Sequence, residues 1–309
     1  MATEKNQEKG ASASGFHFYN LYQCCPRKFY LRWVCRIAEK QVPFALLFGS
    51  AFHAGKAAWY ESGEAKTALT ALQNELVDSA SSFENRMAYD KAVQRGEILL
   101  LRWISKWGVS DLKLFQVIAV EQHMDVTLGN GMNFTIKADT IVKSKKTKAI
   151  YVMETKTSGF SKQLTMDALR YGDQVTAYIS GVEQVMGVRP AGVVGDVAYW
   201  NSIAKSEDNI DCCRTEVLKR SKRDSIEFLN SVGQVFAEIG QRVEYLKRGA
   251  DPVQVFPRNT YYCLSYGKPC AYAGVCRTKL TPRTEVPIGF VRDVPKDLCS
   301  PVADDLAVR

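Results

Sequence analysis

The chain has 309 residues, 46% hydrophobic and 24% charged, and its 41 Lys and Arg against 33 Asp and Glu give a formal net charge of +8. A chain of this length buries about 75% of its unfolded surface, so it needs no staple merely to have a core, and its composition excludes the disordered and collagen-like classes. No run approaches the ~18 apolar residues of a membrane-spanning helix, and the polar start MATEKNQEKGASASG lacks the apolar core of a secretory signal, which points to a reducing cytoplasmic setting.

Residues 1–14, rich in Gly, Ala, Ser and Lys, read as a loose tail. From Phe16 to about Ile37, Tyr19, Tyr22, Phe29 and Trp33 recur at helical spacing, and Pro26 makes this two helices or one kinked helix. Helices are expected at 47–61, 65–83 and 87–107, the last with Ile98, Leu101, Ile104 and Trp107 in register. At Phe115 the pattern changes. FQVIAVEQHMDVTL, Asn130-Gly131 and MNFTIKADTIV predict a hairpin closed by a type I′ turn. A tip of four lysines at 143–148 leads to a strand over 149–157, then to one long helix over 161–187. A strand over 192–200, a partner at 210–218 and a helix over 221–248 follow; the last sixty residues are irregular and hold four cysteines. This order predicts an α/β (α+β) fold with one compact domain over 15–282 and an irregular tail over 283–309.

Asp139 lies within an apolar strand, and Glu154 and Lys156 share one face of the next, because side chains alternate with a period of two. In antiparallel neighbours the three can lie side by side. Two carboxylates at one point make an oxygen site for Mg²⁺ or Mn²⁺. A lysine beside them can orient water and offset charge developing on a phosphate. These are the components of metal-assisted phosphodiester hydrolysis. The same residues also fit the solvent face of a half-exposed sheet with a cross-strand ion pair. Glu121, on the preceding strand, can reach the same point or remain a surface residue.

IKAD (136–139) followed by YVMETKTSG (151–159) resembles the D…(D/E)xK core of the PD-(D/E)XK nuclease superfamily, in its RecB-like exonuclease branch. That branch carries an upstream G-x-x-x-H, matched by Gly49-Ser-Ala-Phe-His53, and a later Q-x-x-x-Y, matched by Gln174-Val-Thr-Ala-Tyr178. The motifs occur in order over about 14–278. The resemblance implies a restriction-endonuclease-like central mixed sheet flanked by helices. It implies that His53, Asp139 and Glu154, with the carbonyl of Thr155, ligate Mg²⁺ or Mn²⁺, and that Lys156 positions or activates water. Gln174 and Tyr178, on one helix face, would contact the lysine or the DNA backbone. The family often has glycine three residues before the aspartate; here Ile136 stands there. The implied activity is a DNA exonuclease acting on single strands or ends in recombination, repair or DNA processing. A structure-selective endonuclease and a non-enzymatic DNA-binding subunit are the alternatives, and a helicase or recombination partner follows by family analogy only.

In a reducing setting nine cysteines are buried small hydrophobes or metal ligands rather than a disulfide framework. Cys35, Cys212, Cys213 and Cys299 are scattered and read as packing residues. Cys263, Cys270 and Cys276 lie in the loop-like YCLSYGKPCAYAGVC, and no tight C-x₂₋₄-C pair of the zinc type is present. The pattern is similar to the iron–sulfur subset of the branch, the AddB nuclease-domain and CRISPR-associated single-strand exonuclease type. There one cysteine before a P-R-x-[FY] stretch joins three near the C-terminus. This implies a [4Fe–4S] cluster on Cys25, Cys263, Cys270 and Cys276, with Cys24 as the reserve ligand, joining the two chain ends.

Arg214, Lys219, Arg220, Lys222 and Arg223 concentrate charge at the start of the late helix, and Arg220, Lys222 and Arg223 are candidate phosphate contacts. A solvated face is the alternative. Phe16, Phe18, Tyr19 and Tyr22 can stack unpaired bases or pack a core.

Overall fold

A computed structural model describes residues 15–83, 85–200, 210–265, 268–278, 280–282 and 284–292. The expected tail at 1–14 and the packing role of Cys299 lie outside the described residues. In chain order the elements are α1 (Phe16–Cys24), α2 (Pro26–Phe29), β1 (Ile37–Glu39), α3 (Phe44–Ser62), α4 (Ala65–Asp78), α5 (Arg86–Trp103), α6 (Val109–Leu114), β2 (Phe115–Thr127), β3 (Asn133–Ser144) and β4 (Ile150–Ser158). They continue with α7 (Lys162–Tyr171), α8 (Asp173–Met186), β5 (Gly192–Trp200), β6 (Ile210–Arg214), α9 (Lys222–Lys247), α10 (Pro252–Val255), β7 (Leu264–Ser265), β8 (Lys268–Pro269) and β9 (Phe290–Arg292).

The central sheet has the order β2-β3-β4-β5-β6. It is mixed: β3 and β4 run antiparallel, β4 and β5 parallel, β5 and β6 antiparallel. With helices packed on it, this is the α/β architecture the sequence predicts. The described residues divide into two compact units. One comprises 15–40, 127–135 and residues from 229 onward; the other comprises 41–126 and 136–228.

In the sheet-bearing unit, a core forms from Phe48, Phe52 and Trp59 of α3, Leu72 of α4, Leu99, Leu100 and Trp103 of α5, and Met153 and Trp200 of the sheet. Each such large apolar side chain contributes roughly 1.5–3 kcal/mol when fully buried. The expected single helix over 161–187 is two, α7 and α8, parted by Gly172. Gly172 is extended, and a Cβ there would lie 2.4 Å from the Ala168 carbonyl oxygen, so the chain can turn at this point only without a side chain.

In the other unit Pro26 opens α2 after a break at Cys25, which resolves the kink expected there. Phe18, Tyr19 and Tyr22 are buried, with Phe18 edge-on to Phe29, Trp33 and Phe236, so these three aromatics pack a core and do not offer stacking faces. The hairpin turn differs from the expected type I′. Gly131 has positive φ (80°) and Asn130 does not, and Gly131 N–H donates to the Leu128 carbonyl (2.9 Å). This is a type I turn closed by a left-handed glycine, a common solution for a slightly longer loop. The N- and C-terminal segments are stitched together. β1 pairs with β9, inside the stretch expected to be irregular. The buried Arg27 donates to the carbonyls of Phe256 (2.8 Å) and Pro252 (3.0 Å). Tyr30 and Tyr272 hydroxyls donate to Leu280 and Ile37 carbonyls.

Candidate active site

The β3–β4 ladder pairs Thr140 with Met153 and goes no further toward Asp139. Beyond that point the Thr155 N–H has no strand carbonyl to meet, and it donates instead to Asp139 Oδ2 at 2.7 Å. The same oxygen lies 3.2 Å from His53 Nδ1 on α3. Helix α3 reaches this place because Gly49, one turn before His53, faces β4: a Cβ there would sit 3.2 Å from Thr157 Oγ1. The G-x-x-x-H spacing therefore has a packing reason, a bare helix surface beside the strand and an imidazole one turn on.

Glu154 is fully buried. Its Oε1 pairs with Lys156 Nζ, and its Oε2 is buried without a hydrogen-bond partner. Burial and the neighbouring Asp139 push the Glu154 carboxyl above its ordinary range, against the pull of Lys156. For Asp139 the balance goes the other way. Burial opposes its charge, yet His53, Lys156 and the Thr155 N–H hold it at about 2. His53 is raised despite burial, because Asp139 and Glu154 favour the imidazolium. Gln174 Nε2 donates to the Tyr178 hydroxyl at 2.7 Å. Burial, then Glu154 and Asp139, push that hydroxyl well above its usual range. The Tyr178 end of the Q-x-x-x-Y pair is thus the one that feels the carboxylates.

One carboxylate enters the site at a break in β2. Glu121 sits within β2 with φ 50°, an uncommon conformation for a residue with a Cβ. The more buried positions are Phe115, Val117 and Ala119 before it, and Met124 and Val126 after it. Glu121 keeps the parity of Phe115, Val117 and Ala119, and the break shifts the buried positions that follow it; ligand atoms of His53, Glu121 and Asp139 all lie within 4.8 Å of one another. Local strain of this kind recurs where a side chain must be re-aimed. The signal in the sequence is the lapse of apolar alternation at Val120-Glu121-Gln122-His123. An imidazole and two carboxylates gathered this closely, with the buried Glu154 outside the trio on the neighbouring strand, fit a divalent cation.

Ile136, which replaces the family's usual glycine, is buried against α8, where the glycine stands instead: a Cβ on Gly181 would lie 2.9 Å from Ile136 Cδ1. The basic run is less available than its sequence suggests. Arg214 is bound to Asp111 and Asp196. Arg220 donates to the carbonyls of Arg170 (2.6 Å) and Gly172 (3.3 Å) and to Thr176 Oγ1, so it clasps the α7–α8 break. Arg223 is exposed and paired with Glu227, and Lys222 is exposed.

All four cysteines of the expected cluster are thiols in the same unit. Cys25 Sγ accepts the Asn259 N–H (3.4 Å) across 234 positions, Cys270 N–H donates to the Cys263 carbonyl (2.8 Å), and burial raises the Cys276 thiol, with Cys25 adding to the effect. Cys35 and Cys212 are buried, as packing residues should be. Among the described residues no helix is long and apolar enough to cross a membrane.

No curated protein matches the chain. Solved structures similar to the chain at low identity include the following three. An alkaline exonuclease (LHK-Exo) from Laribacter hongkongensis is 16% identical over 66% of this chain and 96% of its own, with a TM-score of 0.31. SSO0001 is 16% identical over 79% and 89%, TM-score 0.31. VC1899 from Vibrio cholerae is 14% identical over 74% and 53%, TM-score 0.20. A family model described as the PD-(D/E)XK nuclease superfamily matches residues 16–277. Since that match spans most of the chain, the chain belongs to the PD-(D/E)XK nuclease superfamily.

Proposed function

We propose that this protein is a divalent-metal-dependent deoxyribonuclease that hydrolyses phosphodiester bonds of single-stranded DNA or DNA ends, in recombination, repair or DNA processing. One observation carries the reading: Asp139 is held between His53 and the Thr155 N–H, beside the buried and partnerless Glu154 oxygen. Burying such a carboxylate is costly unless something positive meets it.

His53, Glu121, Asp139, Glu154 and the Thr155 carbonyl would hold Mg²⁺ or Mn²⁺. Such an ion, when bound, neutralises phosphate charge and lowers the pKa of water. Lys156, on the same strand face as Glu154, orients the attacking water and donates to the phosphate as charge develops. Gln174 fixes the Tyr178 hydroxyl near Glu154. Lys222 and Arg223 are left as phosphate contacts, which predicts binding that weakens steeply with salt.

Cys25, Cys263, Cys270 and Cys276 are assigned to a [4Fe–4S] cluster that clasps the N- and C-terminal segments and takes no part in the chemistry. Protein purified without oxygen should be brown, and Cys276→Ser should be colourless with a lower melting temperature. A brown, equally stable variant would remove the assignment.

The activity is tested with end-labelled single- and double-stranded DNA and Mn²⁺ or Mg²⁺, wild type beside Lys156→Ala and Asp139→Ala. The wild type should release labelled nucleotides, and the variants should be slower by roughly a hundredfold or more. Equal degradation by all three would sink the reading. Cleavage of closed circular single strands would make the enzyme an endonuclease.

A further inference from the structure

Behind the site, facing away from Glu154 and Lys156, a row of polar residues crosses the core with one contributed by each of three strands. Thr155 of β4 is in register with Asp196 of β5, and Asp196 with Arg214 of β6. Lys56 of α3 lies over this row. Its Nζ donates to Thr155 Oγ1 and to Asp196 Oδ2, each at 2.8 Å, and stands 4.3 Å from the centre of the Trp103 ring. Asp196 Oδ2 also accepts from Trp103 Nε1 (2.8 Å) and Oδ1 from Arg214 Nε (2.6 Å). Arg214 continues to Asp111 (2.8 and 2.7 Å), which accepts the Tyr60 hydroxyl (2.9 Å). Lys56 and Asp196 side chains are 4% and 2% exposed. Two cations face two anions, so the buried charge is balanced.

Such networks are poor sources of stability, since apolar residues of similar volume serve as well or better. They do fix distances, which non-directional apolar packing does not. The place where this one ends is informative. Lys56 is one turn from His53 on α3, and Thr155 stands between Glu154 and Lys156. Thr155 has its side chain in the network and its N–H on Asp139. We propose that Lys56 is a positioning residue that sets the metal-binding geometry through Thr155, by locking the helix that carries His53 to the strand that carries Glu154 and Lys156. The proposal rests on the nuclease reading above.

The test compares wild type, Thr155→Val, Thr155→Ser and Lys56→Met, by calorimetric titration of Mn²⁺ alone, steady-state cleavage of single-stranded DNA and melting temperature. Thr155→Val removes the acceptor and keeps shape, backbone N–H and carbonyl. It should weaken Mn²⁺ binding and lower kcat by about tenfold, the low end of the range for residues supporting a metal ligand, with KM for DNA unchanged and melting shifted by only a few degrees. Thr155→Ser should restore both. Lys56→Met, where it folds, should act in the same direction and more strongly. Folded Thr155→Val with wild-type Mn²⁺ affinity and kcat would overturn the proposal and leave the nuclease reading standing. A wild type that neither binds Mn²⁺ nor cleaves DNA would overturn both.

Discussion

The two sides of β4 carry charge in opposite ways. On the side of Glu154 and Lys156 the electrostatics are unresolved: a buried carboxylate oxygen lacks a partner, and burial and Asp139 raise the Glu154 carboxyl while His53, Lys156 and the Thr155 N–H hold Asp139 low. On the side of Thr155, Lys56, Asp196, Arg214 and Asp111 are bonded to one another with balanced charge. One strand thus separates a region poised to accept a cation from one that already has its cations built in. Unmet carboxylates can be held at close quarters only by surroundings that do not relax, and the satisfied network supplies that rigidity.

Breaking the satisfied side should have the largest effect on stability. Asp196→Ala leaves Lys56 facing an empty place and Arg214 half-paired in the core, so unfolding in urea should show a loss of about 3–5 kcal/mol. A loss under about 1 kcal/mol would mean that the network is hydrated or dispensable. On the unresolved side the ranking inverts. Lys156→Ala should cost a hundredfold or more in cleavage, about 3 kcal/mol of barrier, with a smaller shift in melting temperature than Asp196→Ala. A large melting shift with residual activity would show that Lys156 is structural.

Glu154→Gln sharpens the contrast further. It relieves a buried charge that Asp139 repels, so metal-free protein should gain about 1 kcal/mol of stability while Mn²⁺ binding and cleavage are lost. Lower stability of the metal-free variant would show that Lys156 already satisfies this carboxylate. The smallest effect is in pH. Asp196 is held below its ordinary value because Lys56 and Arg214 outweigh burial. A carboxylate with a depressed folded pKa contributes stability above its unfolded pKa, about 3.9, and loses it as pH falls through the folded one. The stability gap between wild type and Asp196→Ala should therefore narrow below about pH 4, and a gap that widened there would contradict the pairing.

The sequence alone determined those features that follow from chain periodicity. The order of helices and strands, the shared face of Glu154 and Lys156, and the facing of Gln174 and Tyr178 all follow from repeats of 2.0 and 3.6 residues, which every chain obeys locally. Tertiary structure decided which charges meet. Lys56 and Asp196 are 140 positions apart; in the sequence each is a lone charge in an apolar run, a signal that names no partner. Glu121, which the sequence leaves as either a site or a surface residue, joins His53 and Asp139 only in the fold. Arg214 and Arg220, which read as basic surface, are drawn to Asp196, Asp111 and the carbonyls at Gly172. Long-range pairing depends on which surfaces are brought together and sealed from water, and that is a property of the packed core rather than of any stretch of chain.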